Sequence, residues 1–441
     1  MKLRSAAVRA EARAINARSR RIVATVVSLV VALSGPSAQV HAQGVDGVRN
    51  TRNGLAGVRL KSLGLRTIGL AALLSALLQL SVYSSYGDDG ERILAVDHFV
   101  SHVSSAPAVS GQTVQLYVRE RVQASVALTS PSFSRRVVLF VHGATIPSEV
   151  YFDAQYQDYS WMAYLAQAGL DVFGMDITGY GPSTRPGPMD DPCNVAPASQ
   201  PSLVPSTLPA ACPSTYAGDL TTIASDRDDI DAVVDYIRSL RHVDKISLVA
   251  WSRGGPRAGP YVATHPDKID SLVMLAPAYL VGSPPDRTPT SVMGITTRQS
   301  FDANWDNQIG CADQYDPGIR DSLWSQLLQT DPTGATWGPG AYRAPTGGDT
   351  MVFSRWGALA VRIEAPTLLL SGEHDKQVLP ENVRALYADL RTPHKVFAML
   401  ACSSHLAAWE TRHVALFQAS AEWLLTGSVN GVSQGELGIG E

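Results

Sequence analysis

Three polar residues lie far apart in the chain, and each follows an apolar, strand-like run. Ser252 comes after "ISLVAW", Asp375 follows "TLLLSGEH", and His405 lies a few residues beyond "KVFAML". A serine hydroxyl is a weak nucleophile until a histidine takes its proton and a carboxylate holds that histidine. The chain order Ser, Asp, His with strands before them is one known order for such a triad. The sequence therefore predicts acyl-transfer chemistry with Ser252 as nucleophile.

The segment around Ser252 has the small residues that a sharp strand-to-helix turn requires. The pattern Gly-x-Ser-x-Gly is expected at such a turn, and here it is Ala250-Trp251-Ser252-Arg253-Gly254, with Ala in the first place. The pattern alone is a weak signal, and the strand before it and the helix after it strengthen it. Trp251 either shapes the substrate pocket or packs under the helix.

The acid and the base each have rivals. Asp375 ends the turn Gly-Glu-His-Asp, which also contains Glu373 and His374. Asp286 follows the preceding predicted strand and is a further candidate acid. His413 is a second candidate base, but its place in a predicted helix favours a solvated histidine.

Apolar runs alternate with amphipathic segments along most of the chain. Strands are predicted at 136–143, 171–177, 245–251, 269–278, 365–375 and 394–401, with one or two antiparallel strands within 113–130. Helices are predicted at 160–170, 220–240, 253–266, near 380–390 and 407–425. This alternation indicates βαβ units and a mostly parallel sheet, whose functional site lies at the carboxyl ends of the strands.

Residues 110–425 resemble the α/β-hydrolase superfamily, in its serine-nucleophile branch. The resemblance rests on the elbow at Ser252, the turn at 372–375, "VHGATIP" at 141–147 and "DITGYGPS" at 176–183. It departs from the family's pattern where Ser404 stands in the place of a glycine before the histidine. The resemblance implies a mostly parallel sheet flanked by helices, with an inserted cap.

The same resemblance implies roles for individual residues. The triad is Ser252, Asp375 and His405, and the backbone N–H groups of Ala144 and Arg253 stabilise the oxyanion. Thr145 either adds a hydroxyl to the substrate site or only closes its turn. His142 and the 176–183 turn are expected to be structural, and Glu410 is the glutamate that the family carries in the helix after its histidine.

The fold is expected to divide into consecutive parts. Residues 88–278 form the first part of the core, interrupted by a proline-rich excursion at 182–213 that holds nine of the 27 prolines. The cap spans 279–356, the second part of the core spans 357–427, and residues 428–441 are a flexible tail. The cap region contains Trp305, Trp324, Trp337 and Trp356. It either covers the site and accepts an apolar or aromatic substrate, or is a subdomain with an ordinary aromatic core.

The four cysteines are Cys193, Cys212, Cys311 and Cys402, an even number that suggests disulfides in an exported chain. Of three pairings we favour Cys193–Cys212, closing a short proline-rich loop, together with Cys311–Cys402. Free buried thiols are the alternative. The cysteine spacing does not suggest zinc, and no metal is predicted.

Residues 1–87 are expected to be an export leader that lies outside the fold. Residues 1–21 hold one Lys and six Arg, the apolar run 22–35 follows, and a cleavage site after Ala42 suits this pattern. Residues 67–87 form a second uncharged run of 21 residues, which is a second signal, a weak membrane anchor or an uncleaved leader. Either segment directs the protein to the periplasm or outside the cell.

The favoured function is an exported hydrolase of carboxylic esters with a small-molecule or polymer substrate. The alternatives are an aminopeptidase similar to proline iminopeptidases, an acyltransferase, and a catalytically idle binding protein. An aminopeptidase needs an acid in the cap, for which the candidates are Asp302, Asp306, Asp313 and Asp316. A net charge of −4 without a basic stripe argues against nucleic acid, and no Gly-x-Gly-x-x-Gly or P-loop predicts a nucleotide cofactor. The oligomeric state is not predicted.

Overall fold

The computed structural model describes residues 91–129, 136–279, 292–346 and 356–441. The predicted export segments within 1–87 and the candidate acid Asp286 lie outside these residues. Within them, no helix combines the length and the apolar character needed to cross a membrane.

The described strands and helices follow the predicted alternation. The strands are β1 (Ile93–Val103), β2 (Thr113–Gln123), β3 (Val137–Val141), β4 (Asp171–Met175), β5 (Ile246–Trp251), β6 (Ile269–Leu275), β7 (Met293–Thr297), β8 (Ala341–Pro345), β9 (Thr367–Gly372), β10 (Lys395–Leu400) and β11 (Gly435–Ile439). The helices are α1 (Ala124–Thr129), α2 (Ser148–Phe152), α3 (Trp161–Gln167), α4 (Ile223–Arg241), α5 (Gly254–Thr264), α6 (Arg298–Asp306), α7 (Ile319–Gln329), α8 (Pro332–Ala335), α9 (Gly357–Ala360), α10 (Pro380–Asp389) and α11 (His413–Thr426). Short 3₁₀ helices occupy Pro107–Val109, Gly187–Asp190, Pro192–Asn194, Gln200–Leu203 and Ala407–Trp409.

Nine of the described strands form one sheet in the order β1-β2-β4-β3-β5-β6-β9-β10-β11. The pairs β1–β2 and β2–β4 are antiparallel, and every other pair in the sheet is parallel. Every residue of β3, β5 and β9 is buried. This is expected of short apolar strands in a parallel sheet that helices cover on both faces. The predicted α/β-hydrolase architecture is confirmed.

The antiparallel edge differs from the sequence prediction. Strand β1 was not predicted, and only β2 of the predicted 113–130 segment is a strand, because α1 follows it directly. Most of β1 is exposed or half-buried, so its residues lack the uninterrupted apolar pattern of the central strands. Its eleven backbone pairings with β2 define it instead.

The proline-rich excursion and the cap share a second hydrophobic core. Val195 of the excursion forms a bridge with Met293 of β7, and the Thr207 hydroxyl accepts a hydrogen bond from the Gly338 N–H at 2.8 Å. Both segments contribute buried side chains to this core: Met189, Val195, Leu203 and Leu208 from the excursion, and Met293, Trp337 and Ala341 from the cap. The excursion therefore packs against the cap although it has no long apolar run.

Two disulfides join the cysteines in the favoured pairing. Cys193 is bonded to Cys212 within the excursion, and Cys311 of the cap is bonded to Cys402. The second bond crosses between the cap and the loop that carries His405.

The predicted flexible tail is wrong in its central part. Residues Gly435–Ile439 form β11, which pairs in parallel with β10, and Ile439 is buried. Without β11, β10 would leave its backbone N–H and C=O groups unpaired at the sheet edge. The short, glycine-containing segment gave no strand signal of its own in the sequence.

Candidate active site

Ser252 occupies a strained turn between β5 and α5. Its φ is 56°, in the left-handed region that non-glycine residues rarely adopt. Its N–H donates to the Leu275 carbonyl at 3.0 Å, and its carbonyl accepts from the Gly255 and Ala278 N–H groups. A Cβ atom at Gly254 would lie 2.5 Å from the carbonyl oxygen of Val141. The turn therefore requires glycine at that position, whereas it accepts Ala250 two residues before the serine.

The structure brings Ser252, His405 and Asp375 into one hydrogen-bonded chain. Nε2 of His405 lies 2.8 Å from the Ser252 Oγ, and Nδ1 of His405 lies 2.8 Å from Asp375 Oδ2. Asp375 is 2% exposed, and its Oδ1 accepts the N–H groups of Gln377 and Val378, both at 2.8 Å. The carboxylate is thus fixed while its second oxygen orients the imidazole toward the serine.

The other candidate acids and bases that the structure describes, Glu373, His374 and His413, contact different groups. Glu373 accepts the Cys402 N–H at 3.1 Å, and His374 lies 3.9 Å from Glu373. His413 was predicted to be a solvated helical histidine, and that prediction is wrong. It is buried at the first turn of α11 and stacks on the ring of Tyr159 at 3.8 Å, and burial lowers its pKa.

The loop at residues 142–147, which we call the oxyanion loop because Ala144 is predicted to supply an oxyanion donor, passes close to Ser252. A Cβ atom at Gly143 would lie 2.7 Å from the ring of Trp251, so only glycine fits there. Ala144 and Thr145 follow it and line the pocket beside Ser252. Thr145 is exposed with φ 62°, an uncommon conformation for a β-branched residue. Thr145 therefore lines the pocket, and its role in substrate binding stays a prediction.

The 176–183 turn supports the oxyanion loop from below. The Asp176 carboxylate accepts the Ser148 N–H at 2.6 Å, and the Ser183 hydroxyl donates to the Asp176 carbonyl at 2.6 Å. Burial raises the pKa of Asp176 to about 7. The N–H of Ile177 donates to Nε2 of His142 at 3.3 Å, which ties the two loops together.

Residues that sequence reasoning missed hold the backbone of His405. The His405 carbonyl accepts hydrogen bonds from the indole N–H of Trp251 at 2.9 Å and from the Tyr151 hydroxyl at 3.2 Å. The two donor rings stack on each other at 3.5 Å. On the other side, the His405 N–H donates to Oε1 of Gln308 at 3.2 Å. Tyr151 and Gln308 carried no local signal, because their partner is distant in the chain.

A buried carboxylate anchors the segment just before the histidine. Glu410 accepts the Ser404 N–H at 2.7 Å, the Ser404 hydroxyl at 2.5 Å and the side-chain amide of Gln314 at 2.8 Å. Burial raises the pKa of Glu410. Ser404, which replaces the glycine expected from the family's pattern, therefore gains a hydrogen bond that glycine could not make.

A pocket of about 320 Å³ opens above Ser252 and His405. Its apolar lining consists of Ala144, Ile146, Trp251, Phe301 and Leu406. Its polar lining beyond the triad is uncharged and consists of Thr145, Thr296, Ser300, Asn304 and Gln377. Of the two roles left open for Trp251, the structure shows that it lines the pocket, and its ring stacks on Tyr151 at 3.5 Å.

The cap covers the site, but its tryptophans do not line the pocket. Strand β7 and helix α6 contribute Thr296, Ser300, Phe301 and Asn304 to the lining. The tryptophans are buried instead: Trp305, Trp324 and Trp356 join the main core, and Trp337 joins the second core. Both interpretations of this region therefore apply. The cap tryptophans do not support an apolar or aromatic substrate directly, and that substrate stays a prediction.

One protein-family model matches the part of the chain that contains the site. The family is described as "Serine aminopeptidase, S33" (Hydrolase_4), and the match spans residues 132–412, which include the elbow, the cap and all three triad residues. No curated protein matches the chain.

Solved structures with similar folds are distant in sequence. A serine hydrolase involved in carbazole degradation is 16% identical with a TM-score of 0.47, over 75% of this chain and 99% of its own. A thermophilic esterase from Thermogutta terrifontis is 18% identical with a TM-score of 0.48, over 74% of this chain and 98% of its own. A monoacylglycerol lipase from Paleococcus ferrophilus is 21% identical with a TM-score of 0.44, over 71% of this chain and 99% of its own.

Proposed function

The chain belongs to the S33 serine aminopeptidase family of α/β-hydrolases, and from that premise we propose that it cleaves carboxylic esters through an acyl-enzyme on Ser252. The observation that carries the proposal is the unbroken chain from Asp375 through His405 to Ser252, with both hydrogen bonds at 2.8 Å, at the base of a pocket. This is the geometry that a serine nucleophile needs for activation.

In the proposed mechanism, His405 accepts the proton of Ser252 and later donates a proton to the leaving alcohol. Ser252 Oγ attacks the acyl carbon while Nε2 of His405 takes its proton, and Asp375 stabilises the resulting imidazolium. The N–H groups of Ala144 and Arg253 stabilise the tetrahedral oxyanion. His405 then protonates the leaving alcohol. A water molecule then gives a proton to His405 and attacks the acyl carbon. As the second tetrahedral intermediate breaks down, His405 returns that proton to Ser252 Oγ, which releases the acid and the free serine.

The pocket lining supports an uncharged substrate of moderate size. Apart from the catalytic His405, no ionisable side chain lines the pocket among the described residues. Thr296, Ser300, Asn304 and Gln377 contribute neutral polar side chains to the lining, and the amides of Gln377 and Asn304 hydrogen-bond to each other at 2.9 Å. Phe301 and Leu406 supply apolar contact. We infer a neutral acyl ester that carries a hydrogen-bonding group.

An aminopeptidase is the second candidate, favoured by the name of the family. It would need a carboxylate to hold the cationic peptide N-terminus. Of the cap acids, Asp302 pairs with Arg298 at 2.6 Å and Asp306 pairs with Arg320 at 2.7 Å. These acids and the remaining two candidates, Asp313 and Asp316, are absent from the described pocket lining. This arrangement supports esters over peptides.

We further propose that the protein is exported to the periplasm or secreted. The support is the basic and apolar pattern of residues 1–42 together with the two disulfides, which persist in oxidising compartments. Mass spectrometry of the purified protein should find a new N-terminus at or after Gln43. A chain that retains Met1 in the cytosolic fraction would contradict export.

The decisive assay compares ester and peptide substrates on the protein purified from an oxidising compartment. We expect hydrolysis of p-nitrophenyl esters of short to medium acyl length. Ser252→Ala should lower kcat for these esters by several orders of magnitude. The matched control is Ser433→Ala, at an exposed serine in the loop before β11. Turnover of amino-acid naphthylamides alone would favour the aminopeptidase. Acyl transfer to an added alcohol in preference to water would favour the acyltransferase.

A loss of all turnover has a separate test. A serine-directed fluorophosphonate should label the wild-type protein and leave Ser252→Ala unlabelled. If neither protein is labelled or active, the triad is idle and the proposed function is wrong.

A further inference from the structure

A buried arginine connects the nucleophile helix to the oxyanion loop. Arg257 lies in α5, five residues after Ser252, and is 1% exposed. Its Nη1 donates to the carbonyl oxygen of His142 at 2.9 Å and to that of Gly143 at 3.0 Å. Its Nε donates to Asp226 Oδ2 of helix α4 at 2.7 Å. One guanidinium therefore joins α5, α4 and the loop that precedes Ala144.

The bond to Gly143 determines where the N–H of Ala144 points. The Gly143 carbonyl and the Ala144 N–H belong to one planar trans peptide, in which the two groups point in opposite directions. Because Arg257 draws the Gly143 oxygen toward α5, the Ala144 N–H is directed away from it. Ala144 lines the pocket beside Ser252, where the proposed mechanism places the oxyanion.

His142 donates a second hydrogen bond to the same carbonyl. Its Nδ1 lies 2.7 Å from the Gly143 oxygen, and its Nε2 accepts the Ile177 N–H. A nitrogen facing a carbonyl must carry the proton, and a nitrogen facing an N–H must lack it. Burial and the nearby Arg257 charge lower the pKa of His142 well below its usual value, which agrees with this neutral form. Two donors thus hold one carbonyl.

The geometry of the ion pair differs from that of a purely structural pair. In the cap, Nε and Nη2 of Arg343 donate parallel hydrogen bonds to the two carboxylate oxygens of Asp331, at 3.0 Å and 2.7 Å. Arg257 gives Asp226 a single hydrogen bond, and Asp226 Oδ1 is buried with no hydrogen-bond partner among the described residues. Nη1 of Arg257, which takes no part in an Nε–Nη2 fork, donates to the two loop carbonyls.

We propose that Arg257 is a positioning residue that orients the oxyanion donor of Ala144 for the reaction. This inference rests on the proposed function. The positive guanidinium also polarises the Gly143–Ala144 peptide and so strengthens its N–H as a donor to a developing negative charge. Asp226 keeps Arg257 in place and compensates its buried charge.

The test separates orientation of the oxyanion donor from general support of the fold. We would compare Arg257→Met, Arg257→Lys and the control Arg241→Met. Arg241 also forms a partly buried ion pair, with Asp171 at 2.5 Å, but Asp171 begins β4 at the opposite end of the sheet from the site. For each protein we would measure kcat and KM for p-nitrophenyl butyrate, the inhibition constant of phenylboronic acid, and Tm.

Orientation predicts a pattern that loss of stability alone does not produce. Removing one oxyanion donor costs about 100–1000-fold in kcat, and misorientation of that donor in Arg257→Met should cost about 10–100-fold with little change in KM. The inhibition constant of the boronate adduct, which places an oxygen in the oxyanion site, should rise by a similar factor. Arg257→Lys should fall between wild type and Arg257→Met, because a single ammonium cannot reach Asp226 and both carbonyls.

The control variant and the wild type separate a positioning role of Arg257 from a loss of stability and from failure of the proposed function. Arg241→Met should lower Tm and leave kcat and the boronate constant of the folded enzyme unchanged. Wild-type kcat and boronate affinity in Arg257→Met would overturn the inference. If Arg257→Met does not fold, the same readouts in Arg257→Lys decide the question. Absence of ester turnover in the wild type would instead count against the proposed function.

Discussion

The indole N–H of Trp251 donates a hydrogen bond to the backbone carbonyl of His405 at 2.9 Å. The residue before Ser252, the proposed nucleophile, therefore holds the backbone of His405, the proposed base. The ring of Trp251 also stacks on Tyr151 at 3.5 Å, and the Tyr151 hydroxyl donates to the same carbonyl. The elbow and the histidine loop, 153 residues apart at Ser252 and His405, are thus aligned by backbone contacts as well as by the triad.

Trp251→Phe should raise the activation free energy of turnover by more than it lowers the free energy of unfolding. Phenylalanine keeps an aromatic ring over Tyr151 but removes the donor to His405 and leaves a small cavity in place of the second indole ring. A displaced base costs about 10–100-fold in turnover when its shift approaches 1 Å, whereas one hydrogen bond contributes about 1 kcal/mol to folding. Ester kinetics and thermal unfolding on the same preparation check this. Wild-type kcat in the variant would show that the indole bond has no part in aligning His405.

Asp375→Asn should reduce kcat by about 10⁴-fold, because the amide cannot stabilise the imidazolium and favours the wrong tautomer of His405. The matched control is Glu373→Gln in the same turn, whose carboxylate contacts the Cys402 N–H and not the histidine. We expect that control to retain turnover. A larger loss in Glu373→Gln than in Asp375→Asn would assign the catalytic acid to Glu373.

Loss of the Cys311–Cys402 disulfide should affect both stability and turnover. Cys402 precedes His405 by three residues, and Gln308, three residues before Cys311, accepts the His405 N–H. The double variant Cys311→Ser/Cys402→Ser should lose about 2–5 kcal/mol of stability and have a lower kcat when folded. The control Cys193→Ser/Cys212→Ser lies within the excursion and should lower stability without changing kcat. Equal effects on kcat would contradict this prediction.

Asp229→Asn should flatten the dependence of stability on pH. Burial and the neighbouring Asp226 raise the pKa of Asp229 to about 7, although it accepts the Thr178 N–H. Between the ordinary carboxyl pKa and about 7, the folded protein binds more protons at this site than the unfolded chain does. Stability from Asp229 is therefore fully present at low pH and is lost as pH rises through that window.

Asparagine resembles the protonated carboxyl and does not titrate. The loss of unfolding free energy from pH 5 to pH 8 should be smaller in Asp229→Asn than in wild type, as measured by urea unfolding at both pH values. A residual slope is expected from Asp176, whose pKa burial also raises to about 7. Identical slopes in the two proteins would show that Asp229 does not titrate in this range.

Much of the sheet could be predicted, because its central strands have a local signature. Runs such as "VVLFV" at β3 and "TLLLSG" at β9 are apolar at nearly every position and end at small or polar residues. The edges could not be predicted in the same way. Strand β1 has several exposed residues, and β11 is a five-residue segment with two glycines, so both depend on backbone pairing with a neighbouring strand.

The side chains of α6 that line the pocket could not be predicted from the sequence either. Trp305 and Phe301 lie four residues apart in α6 and both belong to the core, but Phe301 also lines the pocket and Trp305 does not. Both are large aromatic residues in the same helix, and their composition does not say which neighbour each one meets. Only the packing of α6 against the rest of the protein separates a ligand contact from a core contact.

The sequence by itself determined the fold class, the order of Ser252, Asp375 and His405, and the strand ends at which they lie. These features follow from periodicity within short windows and from the rule that parallel strands present their carboxyl ends together. The tertiary structure alone decided that Tyr151, Gln308 and Arg257 hold the triad and the oxyanion loop. The physical reason is that a hydrogen bond depends on distance in space, and partners more than 100 residues apart, such as Arg257 and the Gly143 carbonyl, leave no pattern in the chain that connects them.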